Sequence, residues 1–198
     1  LVPYLIEETY EVVEAIEHDD PAHTVEELGD LLLQIVFHAQ IGREEGTYDI
    51  GDVINGLADK MTRRHPHVFG DAVIESADAQ RRNWETLKAQ EKTGLARKSR
   101  LDGIPKALGA LQRGQRMQEK AAQVGFDWPN VTGALDKMHE ELAELAEARA
   151  EGTEDDAHVR EELGDVFFTL VNLSRALGIN AETAMREANE KFYRRFSF

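Results

Sequence analysis

Glu26-Glu27-Leu28-Gly29-Asp30 recurs as Glu161-Glu162-Leu163-Gly164-Asp165, the same five residues 135 positions further on. Upstream of each lies a second acidic group. Glu7-Glu8-Thr9-Tyr10-Glu11 precedes the first, and Glu140-Glu141-Leu142-Ala143-Glu144 precedes the second, at an offset of 133 residues. Downstream of each lies a basic cluster: Lys60, Arg63 and Arg64 in the first copy, Lys191, Arg194 and Arg195 in the second. Repeated order of this kind is the mark of one module duplicated in tandem. The apolar residues between these groups recur at helical steps, as in Leu28, Leu31, Leu32, Ile35 and Val36, or Leu163, Val166, Phe167, Leu170 and Leu173. Strand-like alternation is nearly absent. The pattern predicts an all-α protein of about eight helices. Thr24 followed by Glu27 reads as a capping box opening the second helix, and Gly178 as a helix stop.

The repeat divides the chain into a first module over residues 1–69, a connector over 70–104 and a second module over 105–198. Gln80 to Arg100 holds seven basic and two acidic residues, the one basic stretch in an acidic chain. It reads as a solvated connecting helix or as a phosphate contact reaching a neighbouring site.

Residues three or four apart share a helix face. Glu8 and Glu11 therefore point together, as do Glu27 and Asp30. If the two helices pack antiparallel, four carboxylates converge. Glu141, Glu144, Glu162 and Asp165 repeat the set. A lone Glu-Glu-x-x-Glu is usually a solvated surface. Here it occurs twice, each time with a second acidic pair 16 or 18 residues on (Glu11 to Glu27, Glu144 to Glu162). Asp30 and Asp165 also sit inside apolar sequence, where a carboxylate is costly unless paired or metal-bound. Gly29 and Gly164 lie inside helices, where glycine costs about 1 kcal/mol relative to alanine and usually marks close approach of another group. Hard oxygen ligands without His or Cys suit Mg²⁺ or Mn²⁺ rather than zinc. Lys191, Arg194 and Arg195 share one helix face and suit phosphate oxygens. Carboxylates for a divalent ion and cations for phosphates together imply a polyphosphate substrate.

The 198 residues carry a formal charge of −15 and no cysteine. The acidic balance argues against direct nucleic-acid binding, which needs a basic footprint. The missing cysteines exclude a disulfide framework and a thiol nucleophile. No apolar run reaches membrane-spanning length, and a cytoplasmic location is expected. The first residue is not Met, and the chain reads as starting inside a longer protein.

These motifs, in this order, resemble the all-α nucleoside triphosphate pyrophosphohydrolases, and the tandem arrangement resembles the MazG family. Arg63-Arg64-His65-Pro66-His67-Val68-Phe69 and Gly125-Phe126-Asp127-Trp128 also look like segments of that family. The resemblance covers essentially the whole chain. It implies hydrolysis of nucleoside triphosphates between the α and β phosphates, with Mg²⁺, in homodimers whose helices form four-helix bundles. It makes Glu141, Glu144, Glu162 and Asp165 metal ligands, with Glu8, Glu11, Glu27 and Asp30 as their counterparts in the first repeat. It turns Lys137, Asn189, Lys191, Arg194 and Arg195 toward the nucleotide, with Lys60, Arg63 and Arg64 as first-repeat counterparts. Trp84 and Lys88 match a nucleotide-contacting Trp-x-x-x-Lys element. Glu140 or Glu161 is the candidate for orienting the attacking water. The second copy, which alone has Asn189 two residues before its lysine, is expected to be the catalytic one. Broad or house-cleaning substrate use is expected.

Two features depart from a complete repeat pair. The first-copy counterpart of Trp128 would lie before Leu1, and the second-copy counterpart of Trp84 beyond Phe198, so segments are expected at both ends. A ferritin-like di-metal protein would use Glu-x-x-His, which occurs nowhere in the chain. His18-Asp19 is a weak hint of another phosphohydrolase class. His23, His38 and His158 show no spacing that completes a metal site. A nucleotide-sensing or partner-binding dimer with weak or no turnover is the remaining rival.

Overall fold

A computed structural model describes residues 1–70, 76, 99–151 and 157–197. Eight helices and no strand occur among them: α1 (Val2–Glu17), α2 (Pro21–Glu44), α3 (Ile50–Arg64), α4 (Pro66–Phe69), α5 (Ala110–Ala122), α6 (Val131–Glu151), α7 (Ala157–Ala176) and α8 (Ala181–Phe196). The chain forms two compact units, Leu1–Leu95 and Ala96–Phe198.

Local chemistry sets the helix ends. Asp20, not Thr24, caps α2: its carboxylate accepts from the Ala22 and His23 amides, both at 3.1 Å. Pro21 follows at the start of the helix, where its missing N–H costs nothing. Asp-Pro thus opens the helix four residues earlier than the Thr24–Glu27 pattern suggests. Thr24 is already inside the first turn, its hydroxyl donating to the Asp20 carbonyl at 2.7 Å. Asp49 and Asp52 form the reciprocal cap of α3. At the end of α7, Gly178 takes a φ of +73°, and the Ile179 amide turns back to the Ser174 carbonyl at 2.8 Å. This is the left-handed stop that glycine favours.

Each unit is built on a hairpin. In the first, α1 packs along α2. Glu11 meets Glu27 while the earlier Glu8 meets the later Gln34, so the helices run antiparallel. Their facing stripes are Leu5, Glu8, Val12 and Ala15 on α1, and Glu27, Leu31, Gln34 and His38 on α2, all buried or half-buried. In the second unit α6 packs along α7. The stripes are Ala134, Met138, Glu141, Leu145 and Ala148 against Val159, Glu162, Val166, Thr169 and Leu173. Alanine at Ala15, Ala39, Ala134 and Ala148, each nearly or fully buried, lets the helices approach closely.

A second apolar stripe on each hairpin faces outward. Leu28, Leu32, Leu33, Ile35, Val36 and Phe37 on α2 are exposed, as are Leu163, Phe167 and Leu170 on α7. The sequence periodicity therefore mixes two faces, only one of which is covered within the hairpin. Gly29 and Gly164 lie on the outer side, and a Cβ at either would meet nothing within 4 Å. The close approach expected at these glycines is thus not made among the described residues.

In the second unit α5 lies across α7. Gly114 meets the Phe168 ring and Val171 at ordinary contact distance. The Gln118 amide donates to the Phe168 carbonyl at 2.7 Å, and Gln115 accepts from the Ala181 amide at 2.9 Å, seating the start of α8.

Candidate metal and phosphate site

Glu8 and Glu27, and their counterparts Glu141 and Glu162, lie on the inner seam of each hairpin, with the exposed Glu11 and Glu144 at its edge. Glu8 takes a seam position between Leu5 and Val12, and Glu27 takes the one before Leu31. Glu141 and Glu162 do the same in the second unit, where Glu141 is 5% exposed. One oxygen each from Glu8, Glu11 and Glu27 lies within 4.8 Å of the other two, and the same holds for Glu141, Glu144 and Glu162. The duplication is therefore one of geometry as well as of sequence.

Asp30 and Asp165 do not join these groups. Both side chains are exposed, one turn beyond Glu27 and Glu162. Their apolar neighbours Leu28 and Leu163 are exposed too, so the desolvation cost inferred for these aspartates does not arise within the chain. The buried acids are Glu27 and Glu141 instead.

Crowding raises the proton affinity of the outer carboxylates. The Glu11 carboxyl is pushed above its ordinary range by desolvation first, then by the charges of Glu27, Glu8 and Glu7. Glu144 is raised by desolvation and by Glu141, Glu140 and Glu162, against the pull of Lys137. Three convergent oxygens with no cation among them are an arrangement that a small divalent ion would relieve. Octahedral Mg²⁺, with bonds of about 2.1 Å, holds neighbouring ligand oxygens about 3 Å apart. The cluster needs only small side-chain adjustments to reach that, so the donor set fits a hard cation.

Lys137 marks the difference between the two copies. Its Nζ lies 2.7 Å from Glu140 and 2.8 Å from Glu141. Hydrogen bonds to these two carboxylates hold the ammonium well above its ordinary range. Four residues before Glu8, the corresponding position holds Tyr4.

Two histidines belong to the picture although their spacing alone suggested no site. His23 Nδ1 lies 3.2 Å from Glu27 Oε1, and His158 Nε2 lies 3.1 Å from Glu162 Oε1. Each stands four residues before its glutamate, and the two are 135 residues apart. That shared offset was the available signal.

The other sequence candidates are placed as follows. Glu140 is exposed and ion-paired with Lys137, whereas Glu161 is exposed with no ion pair among the described residues. Asn189, Lys191, Arg194 and Arg195 lie on the exposed last three turns of α8, and no described ion pair joins these cations to a carboxylate. Lys60 and Arg64 are half-buried near the end of α3, and Arg63 is exposed. Trp84 and Lys88 lie outside the described residues.

Paired helices that set convergent carboxylates on their inner seam, in two copies, define a class: all-α proteins with a duplicated acidic metal-type centre. The profile of the MazG nucleotide pyrophosphohydrolase domain matches residues 1–69 and 131–197, so the chain belongs to the MazG family. A nucleoside triphosphate pyrophosphohydrolase of Escherichia coli K12 is 45% identical over 196 residues, 99% of this chain and 74% of that protein. A nucleoside triphosphate pyrophosphohydrolase/pyrophosphatase MazG of Thermotoga maritima is 50% identical over 196 residues, 99% of this chain and 73% of that protein. An uncharacterized protein of Bacillus subtilis is 45% identical over the whole chain, which spans 40% of its length.

Proposed function

We propose that this protein hydrolyses nucleoside triphosphates between the α and β phosphates, with Mg²⁺ or Mn²⁺, yielding a nucleoside monophosphate and pyrophosphate. The observation that carries this reading is the carboxylate triad of the second hairpin with Lys137 on the same helix face. Acids for a cation and a cation for phosphates are what a polyphosphate site needs. The names of the two relatives above support the same reaction.

Glu141, Glu144 and Glu162 would hold the metal, with Asp165 completing the set from the next turn. The first-repeat counterparts are Glu8, Glu11, Glu27 and Asp30. A bound Mg²⁺ supplies charge neutralisation at the phosphates and a more acidic water. Lys137, protonated throughout the working range, balances phosphate charge. Lys191, Arg194 and Arg195, with Asn189, add donors from α8. Of the two candidates for orienting water, Glu161 is the favoured one, since it has no ion pair among the described residues while Glu140 is held by Lys137. The second hairpin is the favoured catalytic copy, because Tyr4 leaves the first without that lysine.

The outer apolar stripes and the open space over Gly29 and Gly164 support a homodimer. In it the helices of two copies would complete four-helix bundles, with residues 1–69 and 105–198 as the modules and 70–104 as the connector. Base selectivity is read as broad, in a house-cleaning role, and the location as cytoplasmic. Among the described residues no helix is long and apolar enough to cross a membrane.

Glu162→Gln tests the site assignment. The variant should lose metal-dependent turnover while circular dichroism shows the helical content unchanged. Full activity in a folded Glu162→Gln protein would remove the second hairpin from the reaction.

A further inference from the structure

We propose that Trp128 is the platform on which the substrate's base stacks at the second hairpin, and that Gly133 is what makes the platform possible. The inference rests on the triphosphate reading above and adds how the nucleoside end is held.

Gly133, Lys137, Glu141 and Glu144 follow one another at steps of four, four and three along α6, so they form one stripe of the helix. Three of them carry the metal and phosphate chemistry. The fourth, at the N-terminal end of the stripe, has no side chain, and the indole of Trp128 lies in its place. A Cβ on Gly133 would stand 2.7 Å from Trp128 Cε3 and 3.0 Å from Cδ2. The six-membered ring therefore rests directly on the helix backbone. Trp128 as a residue remains 47% exposed, which leaves area on the outer side of the indole for another ring. Eight residues separate Gly133 from Glu141, about 12 Å of helix rise. That length is comparable to the span of a nucleoside triphosphate from its base to its terminal phosphates.

The loop that presents the indole is fixed on several sides. Gly125 takes a φ of +84°, and the Phe126 amide turns back to the Ala121 carbonyl at 3.1 Å. Asp127 accepts the Trp128 amide at 2.9 Å and is gripped by both terminal nitrogens of Arg175 on α7. Arg175 in turn donates to Asn172 at 2.8 Å. An exposed aromatic held this firmly costs little further ordering when a ring stacks on it. Every base presents a π-face, so the platform fits broad use of bases.

The test uses the full chain with three variants and two ligands. Trp128→Ala should raise KM for ATP by about 5- to 100-fold, the range for losing one base–aromatic stack. It should leave kcat within about 3-fold, and Trp128→Phe should recover most of the KM. Gly133→Ala should raise KM in the same direction by lifting the indole off the helix, and alanine is the better helix former, so α6 itself stays intact. Inorganic tripolyphosphate, which has the phosphates and no base, should inhibit the wild type and all three variants with the same Ki. Two results would overturn the proposal: an unchanged KM for ATP in Trp128→Ala, or a loss of tripolyphosphate binding equal to the loss for ATP. A wild-type protein that turns over no triphosphate would instead refute the reading on which it rests.

Discussion

Leu32→Arg should dissociate the proposed homodimer. Leu32 lies on the outer stripe of α2, 57% exposed, among Leu28, Leu33, Ile35, Val36 and Phe37, which are 39% to 55% exposed. Full burial of such a side chain contributes about 1.5–3 kcal/mol, so roughly half of that, about 1 kcal/mol each, remains to be gained. Six residues give about 6 kcal/mol, and two-fold symmetry doubles it to about 12 kcal/mol. Association costs at least ~4 kcal/mol, which leaves up to about 8 kcal/mol, a dissociation constant near micromolar. Arginine forms helix as well as leucine, so the fold is not at stake. The substitution removes the leucine's share from both protomers and sets a cation in each seam. Even with the charge reaching solvent along its stem, the loss is at least ~2 kcal/mol, about 30-fold in the constant. Sedimentation equilibrium from 0.1 to 100 times about 1 μM covers both proteins. A Leu32→Arg protein as dimeric as the wild type across that range would refute the assignment of this face.

Lys191→Ala should weaken turnover about 10-fold, in KM or in kcat, by removing one charge-assisted contact to phosphate; steady-state kinetics identical to wild type would reduce the α8 cluster to a helix-end feature. Metal-free protein should gain stability from two carboxyl groups as pH falls toward their ordinary value near 4.5. Glu11 and Glu144 have raised carboxyl pKa values in the fold, so the folded state takes up protons before the unfolded state does. Melting curves of the Glu11→Gln/Glu144→Gln variant should show a smaller gain over that fall in pH than the wild type, and equal gains would contradict the assignment. Asp127 works in the opposite sense. Its hydrogen bonds from Arg175 lower its pKa, so its contribution is present above about pH 4 and is lost as pH falls through the lower folded value. Asp127→Asn should therefore show a smaller loss of stability than the wild type between about pH 4 and pH 2.

The duplicated hairpin was legible because it is written in helical spacing, which any isolated helix obeys. The convergence of Glu8, Glu11 and Glu27 followed from the same rule plus one assumption, antiparallel packing, which a three-residue connection nearly forces. Which apolar stripe faces inward was not legible. Leu28, Leu31 and Leu32 are chemically alike, and only the partner helix decides that Leu31 is covered and the others are not. The burial expected at Asp30 and Asp165 was misread for that reason. Neighbours in sequence were apolar, but the face they share is an outer one. The start of α2 failed for another reason: two helix-start signals compete within five residues, and Asp-Pro satisfies more backbone donors than Thr24 would. His23 and His158 were visible as a repeat at the same offset as their glutamates, and their proximity needed only the four-residue rule already applied to the acids.

The most direct measurement of the central claim is product identification by phosphorus NMR after incubation with ATP and Mg²⁺. The account predicts pyrophosphate and AMP in equal amounts, with no signal growth when Mg²⁺ is replaced by a chelator. Orthophosphate and ADP would place the cleavage at the γ-phosphate and contradict it.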